Sequence, residues 1–80
     1  MASYTVPTAT AAWQTAPAPS ADAWFQPIGG QVFVSTDASP STETAGVVSA
    51  GVGYPVSSGT ALKYRAFDGA PVAVRLWDKT

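Results

Sequence analysis

Cysteine and histidine are both absent from this 80-residue chain, and with them go the thiolate, the imidazole and the soft metal ligand. No disulfide framework, structural zinc site or iron–sulfur cluster can be built, and no cofactor or metal site is expected. Acid–base chemistry would fall to five carboxylates and four basic groups. An excess of one charge is also lacking, because the formal net charge is −1. A nucleic-acid partner asks for enough cations to neutralise several phosphates, so none is expected here. Long apolar runs are missing too: no stretch approaches the roughly 18–20 residues of a membrane helix. The N-terminus carries no basic region followed by a long apolar stretch, so neither a signal peptide nor a membrane anchor is expected. A cysteine-free chain fits any redox compartment.

Large aliphatics are scarce. Fifteen residues are Ala, and Val, Ile, Leu and Phe together also number 15. Domains of this size bury only about 60% of their unfolded surface, and small chains without staples commonly lean on oligomerisation or a partner surface. The near-zero net charge and nine aromatics depart from the composition of a disordered chain. A folded all-β module accompanied by a less structured segment is therefore expected.

That segment is predicted to be residues 1–22, rich in Ala, Thr, Pro and Ser, with Pro7, Pro17 and Pro19 spaced through it. Proline removes backbone donors and biases its predecessor to extended conformations, which predicts an extended arm or edge-strand segment. Its aromatics, Tyr4 and Trp13, would serve as anchors on a neighbouring surface. A compact β-domain is predicted over residues 23–80, an antiparallel β-sandwich or barrel of short apolar runs separated by turn residues. Ala23 to Ile28, Gly29-Gly30 and Gln31 to Thr36 read as a hairpin, with Pro27 marking an edge position or a bulge. Val32 and Val34 share one face there, and Phe33 points to the other. Ser35 to Thr44 is predicted to be a polar surface loop. Short strands are expected at Ala45 to Ser49 and Tyr54 to Ser57.

The clearest alternation comes last. Ala61 to Phe67, an Asp68-Gly69 turn and Val72 to Trp77 read as a second hairpin. Leu62, Tyr64, Ala66, Val72, Val74 and Leu76 would face the core. Lys63, Arg65, Phe67, Ala73, Arg75 and Trp77 would form a cationic–aromatic face. All four basic residues lie in the last eighteen positions, whereas residues 1–62 carry only Asp22, Asp37 and Glu43. That asymmetry points to contacts between copies or docking on an acidic surface, set against the plainer reading of local packing of Arg over Trp77 or Phe67. With so few Leu and Ile, the aromatics read first as core or subunit contact, with a stacking platform for sugars or bases as the lesser alternative. The five acids are scattered over turns and termini, and Gly51-Val52-Gly53 lacks the third glycine and following helix of a phosphate loop, so no enzyme is expected.

One further pattern is of layout. An early Trp13 in an Ala/Thr/Pro-rich leader is followed by Ala23-Trp24-Phe25-Gln26-Pro27, Gly29-Gly30, a short Val strand and a Pro-containing polar loop. Gly59-Thr60-Ala61-Leu62 and a terminal Val72-Ala73-Val74-Arg75-Leu76-Trp77 complete it. This arrangement, over roughly residues 13–78, resembles the small accessory virion proteins of tailed bacteriophages. The resemblance implies a sandwich or barrel used in many copies on the particle surface, and binding to the major capsid protein or other virion subunits as decoration or cement is expected through aromatic and β-edge contacts. It implies a homo-oligomer, with a trimer among the options, and transfers no catalytic residue. The same layout would serve a head–tail, tail or fibre-associated component, and a carbohydrate-binding β-module using Trp24 or Trp77 is the alternative from another class. Candidate partner-contacting residues are Tyr4, Trp13, Trp24, Arg65, Arg75 and Trp77. Deleting residues 1–22 is predicted to weaken attachment more than it lowers the melting temperature.

Overall fold

The computed structural model describes residues 3–79. These form eight strands: β1 (Ser3–Tyr4), β2 (Gln14–Thr15), β3 (Ala23–Ile28), β4 (Val32–Ser35), β5 (Gly46–Val48), β6 (Tyr54–Val56), β7 (Lys63–Ala66) and β8 (Ala73–Asp78). They build two four-stranded sheets, ordered β1-β8-β3-β6 and β2-β7-β4-β5, in which every pairing is antiparallel. The sheets stack face to face as a β-sandwich. The expectation of an all-β antiparallel sandwich or barrel is met, in the form of a sandwich.

The strand order has a simple origin. Taken in pairs from the two ends, β1 lies on β8, β2 on β7, β3 on β6 and β4 on β5, as in one long hairpin folded at the polar loop. Rolling that hairpin also brings β8 against β3 and β7 against β4. This is the jelly-roll order. Among the described residues, only β4 and β5 are consecutive strands of the same sheet.

Both expected hairpins are therefore corrected. β3 and β4 belong to opposite sheets, and so do β7 and β8. Gly29 and Gly69 do adopt the positive φ the turns require, +82° and +87°, but the turns carry the chain across the sandwich instead of folding it back in plane. A tight turn fixes only local direction, and the partner of each strand is set by which faces must be buried. Pro27 is likewise neither at an edge nor in a bulge, because β3 is an inner strand and Pro27 stands opposite Val74. Its carbonyl accepts from the Gly51 amide at 2.8 Å, past the end of β6. In an antiparallel strand a residue's N and O point to the same side. The missing donor thus faces the loop and takes nothing from the β3–β8 ladder.

Residues 3–22 do not stand off as an arm. β1 and β2 close one edge of each sheet, and Ala9 and Ala16 sit in the core at 0% and 1% exposure. Ala9 exchanges backbone hydrogen bonds with Val72, Thr10 accepts from Ala66, Ala16 donates to Leu62, and Pro19 accepts from Gly59. An Ala- and Pro-rich segment suits this place: small side chains let its backbone lie close against the stacked sheets, and proline is tolerated at an edge. Between the sheets lie Phe25, Leu76, Val56 and Ala23 from one side and Tyr64, Val32, Val34, Val48 and Ala66 from the other. Phe25 and Tyr64 meet across the middle, ring centroids 5.2 Å apart.

Candidate interaction surface

Burying one side of each strand turns the alternate residues outward. On the β1-β8-β3-β6 sheet, Trp24 and Trp77 stand directly opposite each other, flanked by Pro55 and Ser3. Each indole carries a cation: the Lys79 Nζ is 4.5 Å from the Trp24 ring centroid and the Arg75 Cζ 5.4 Å from that of Trp77. The Arg75 Nε donates to the Gln26 side-chain oxygen at 2.9 Å, and the Gln26 amide donates to the Gly51 carbonyl at 2.7 Å. Both tryptophans are half-buried. This surface has filled its own hydrogen bonds and cation–π contacts, and a sugar stacking on either indole would compete with the cation standing over it.

The outer side of the β2-β7-β4-β5 sheet is built differently. Phe33 on β4 faces Val47 on β5 and Arg65 on β7, and the Phe67 ring stacks on it at 4.9 Å. Arg65 reaches the Trp13 ring at 6.0 Å, the outer limit for a useful cation–π contact. Val47 and Phe67 are 48% and 45% exposed, among the most open large apolar side chains described. The Arg65 Nε is buried without a hydrogen-bond partner. Compared with the tryptophan face, this surface is apolar at its centre and unsatisfied at its cation.

The candidate residues thus separate into three groups. Trp24, Arg75 and Trp77 share one face, and Trp13 and Arg65 share the opposite one. Tyr4 is on neither. It packs against the core from β1, donates to the Asp78 carboxylate at 2.6 Å and accepts from the Ser20 amide at 3.1 Å. Its expected anchor role gives way to a strap holding β1 to the end of β8. The local cation–π reading is met for Arg75 over Trp77, whereas Arg65 turns to Trp13 and away from Phe67. Sequence reasoning left out Lys79, Gln26, Phe33 and Val47, although the outward side of Phe33 was readable from its place between Val32 and Val34.

Three of the acids are spent on backbone or hydroxyl groups. The Asp22 carboxylate accepts from the Ser58 amide at 2.9 Å, Asp68 from the Ala70 amide at 3.2 Å and Asp78 from Tyr4. A shallow groove of about 400 Å³ beside β6, lined by Thr36, Tyr54, Pro55, Ser57, Thr60 and Leu62 among others, holds no charged side chain. Among the described residues, no group of three or more metal-ligating side chains comes together, and no helix is long and apolar enough to cross a membrane. Comparison with known proteins finds no matching protein family, curated sequence or solved structure.

Proposed function

We propose that this chain is a structural, multi-copy accessory of a phage particle, most simply a capsid decoration or cement protein. The observation that carries the reading is the pair of aromatic and cationic faces turned back to back. A ligand-binding module needs one recognition surface, whereas a protein that ties two subunits together needs two on opposite sides. Here aromatic and cationic side chains occupy the outer face of each sheet, on a plate only 17 Å across its thinnest direction. Aromatic and Arg side chains are the ones enriched at protein–protein contacts. The layout resemblance to virion accessory proteins supports the same reading, as does the jelly-roll order, an architecture used by viral capsid domains, although that last support is analogy of fold.

In this reading the faces grip and the edges do little. The four edge strands β1, β6, β2 and β5 are two or three residues long, and β6 carries Pro55 in its middle. Short edges of this kind resist strand addition from another chain. Added contacts between shell subunits would oppose expansion and rupture of the particle, because binding to the assembled form stabilises it by mass action.

The test is the abundance of the chain in purified particles from its source, measured by mass spectrometry against the most abundant shell protein. An equal or simple fractional ratio is expected, together with particles that rupture at lower temperature when the chain is missing. A few per cent of that ratio would move the protein to a vertex, neck or tail. Absence from every particle would overturn the reading.

A further inference from the structure

The two faces differ in what they leave unsatisfied, and the difference points to an occupant for one of them. On the tryptophan face Arg75 and Lys79 already have partners. On the opposite face, the Lys63 and Arg65 side chains form no hydrogen bond or ion pair among the described residues, and Arg65 has only the distant cation–π contact with the Trp13 ring. The acids show a matching split. Asp22, Asp68 and Asp78 are engaged, while the side chains of Asp37 and Glu43, both on the exposed loop between β4 and β5, have no described partner.

The register places these unspent charges at one end of the sheet and on neighbouring strands across it: Ser35, the last residue of β4 before the acidic loop, stands opposite Lys63. In the order β2-β7-β4-β5, the cations stand on β7, the aromatic centre is Phe33 on β4, and the acids are on the loop joining β4 to β5. A two-fold axis running along β4 keeps that end in place and would lay the β7 side of one copy over the β5 side and acidic loop of the other, twice. It would also bury Phe33, Val47 and Phe67 between the two copies. Self-complementarity of this kind is the requirement for an isologous dimer. A specific interface takes about 800 Å² from each partner, a large share of one side of a molecule measuring 31 by 26 by 17 Å. A contact of that size needs the loop as well as the sheet.

We propose that the outer face of the β2-β7-β4-β5 sheet is a dimer interface with a second copy of this chain, in which Lys63 and Arg65 of each copy meet Asp37 and Glu43 of the other. The dimer turns both tryptophan faces outward, which keeps the assembly two-sided. The inference rests on the two-faced reading above and does not depend on the particle.

Sedimentation equilibrium of the isolated chain tests it. The wild type is expected at twice the chain mass, with weaker association as salt is raised. K63E/R65E and D37K/E43K are each expected at the mass of one chain, their equimolar mixture at twice that mass, and V47D monomeric throughout. K79Q, on the other face, is expected to leave the dimer intact. Circular dichroism checks that each variant folds. Should R65E disturb its half-buried site, K63E paired with D37K/E43K carries the same exchange. A wild type that stays monomeric to its solubility limit, or a mixture that fails to restore the dimer, overturns the proposal. Absence of the chain from particles would leave this result untouched, so the two readings fail separately.

Discussion

The Tyr64 hydroxyl donates to the Pro7 carbonyl at 2.6 Å across 57 positions of chain, fastening the centre of one sheet to the connection between β1 and β2. Tyr64 is fully buried and touches Phe25 of the facing sheet. Y64F keeps the ring and removes the donor, leaving a carbonyl without its partner. The expected loss is about 1–3 kcal/mol in urea unfolding.

The same phenol sets an alkaline limit. Burial pushes Tyr64 up from its ordinary 10.0 to about 12. Between those values the unfolded chain has released a proton that the folded chain still holds, so stability falls as pH rises. The contribution is fully present below pH 10 and is lost on the way to about pH 12. Thermal melts across that range should therefore bring the wild type and Y64F progressively closer together. Parallel curves would show that Tyr64 has no part in the alkaline loss.

Removal of residues 1–22 now carries a different expectation from the one the composition alone suggests. The deletion takes away both strands that close one edge of each sheet, with the buried Ala9, Ala16 and Pro19. Loss of the cooperative melting transition is expected, read by near-ultraviolet circular dichroism. A truncated chain that melts like the wild type would return the segment to the status of an arm.

Gly30 and Val72 form a tight pair. A Cβ at Gly30 would stand 2.8 Å from the Val72 Cγ2, and Val72, 5% exposed, cannot swing into solvent. G30A should cost about 1–3 kcal/mol by overpacking. The double variant G30A/V72A should lose less than the two single losses added together, with a coupling of at least about 0.5 kcal/mol. Additive losses in chemical denaturation would place the strain elsewhere.

Lys79 above Trp24 offers a smaller and cleaner measurement. A double-mutant cycle with K79Q and W24L should give a coupling of about 0.5–1 kcal/mol at this partly exposed site, shrinking as salt is raised. A coupling of zero at low salt would mean that the cation rests over the ring without holding it.

Much of the local structure was legible in the residues. Ala23–Ile28 is a strand with the expected bounds, and the alternation of Leu62, Tyr64 and Ala66 against Lys63, Arg65 and Phe67 assigns β7 its inner and outer faces correctly. Alternation reports which side of a strand is buried because burial acts on each side chain separately. It says nothing of which strand lies beside it. Gly29-Gly30 and Asp68-Gly69 have the chemistry of in-plane turns, yet each crosses the sandwich, since the choice is made by distant partners such as Tyr4 opposite Leu76. β1 and β2 were unreadable for another reason: two residues each, beside Ala and Pro, carry no period. Of the candidate surface, the aromatic and basic residues were visible, but their division between two opposite faces follows from the crossovers and was not.

The rolled hairpin also fixes an order of events during synthesis. β1 pairs with β8, and β3 pairs with both β8 and β6. β1 therefore waits for β8, and the inner strand β3 stays uncovered on one side until residue 78 is made. Only the β4–β5 hairpin can form early. Loop closure of this range slows folding, so Trp24 and Phe25 wait for Trp77 and Leu76 before their strand is covered on both sides. That interval is when chains are most exposed to one another, and the short edge strands, one of them interrupted by Pro55, are the safeguard for the chains that have already closed.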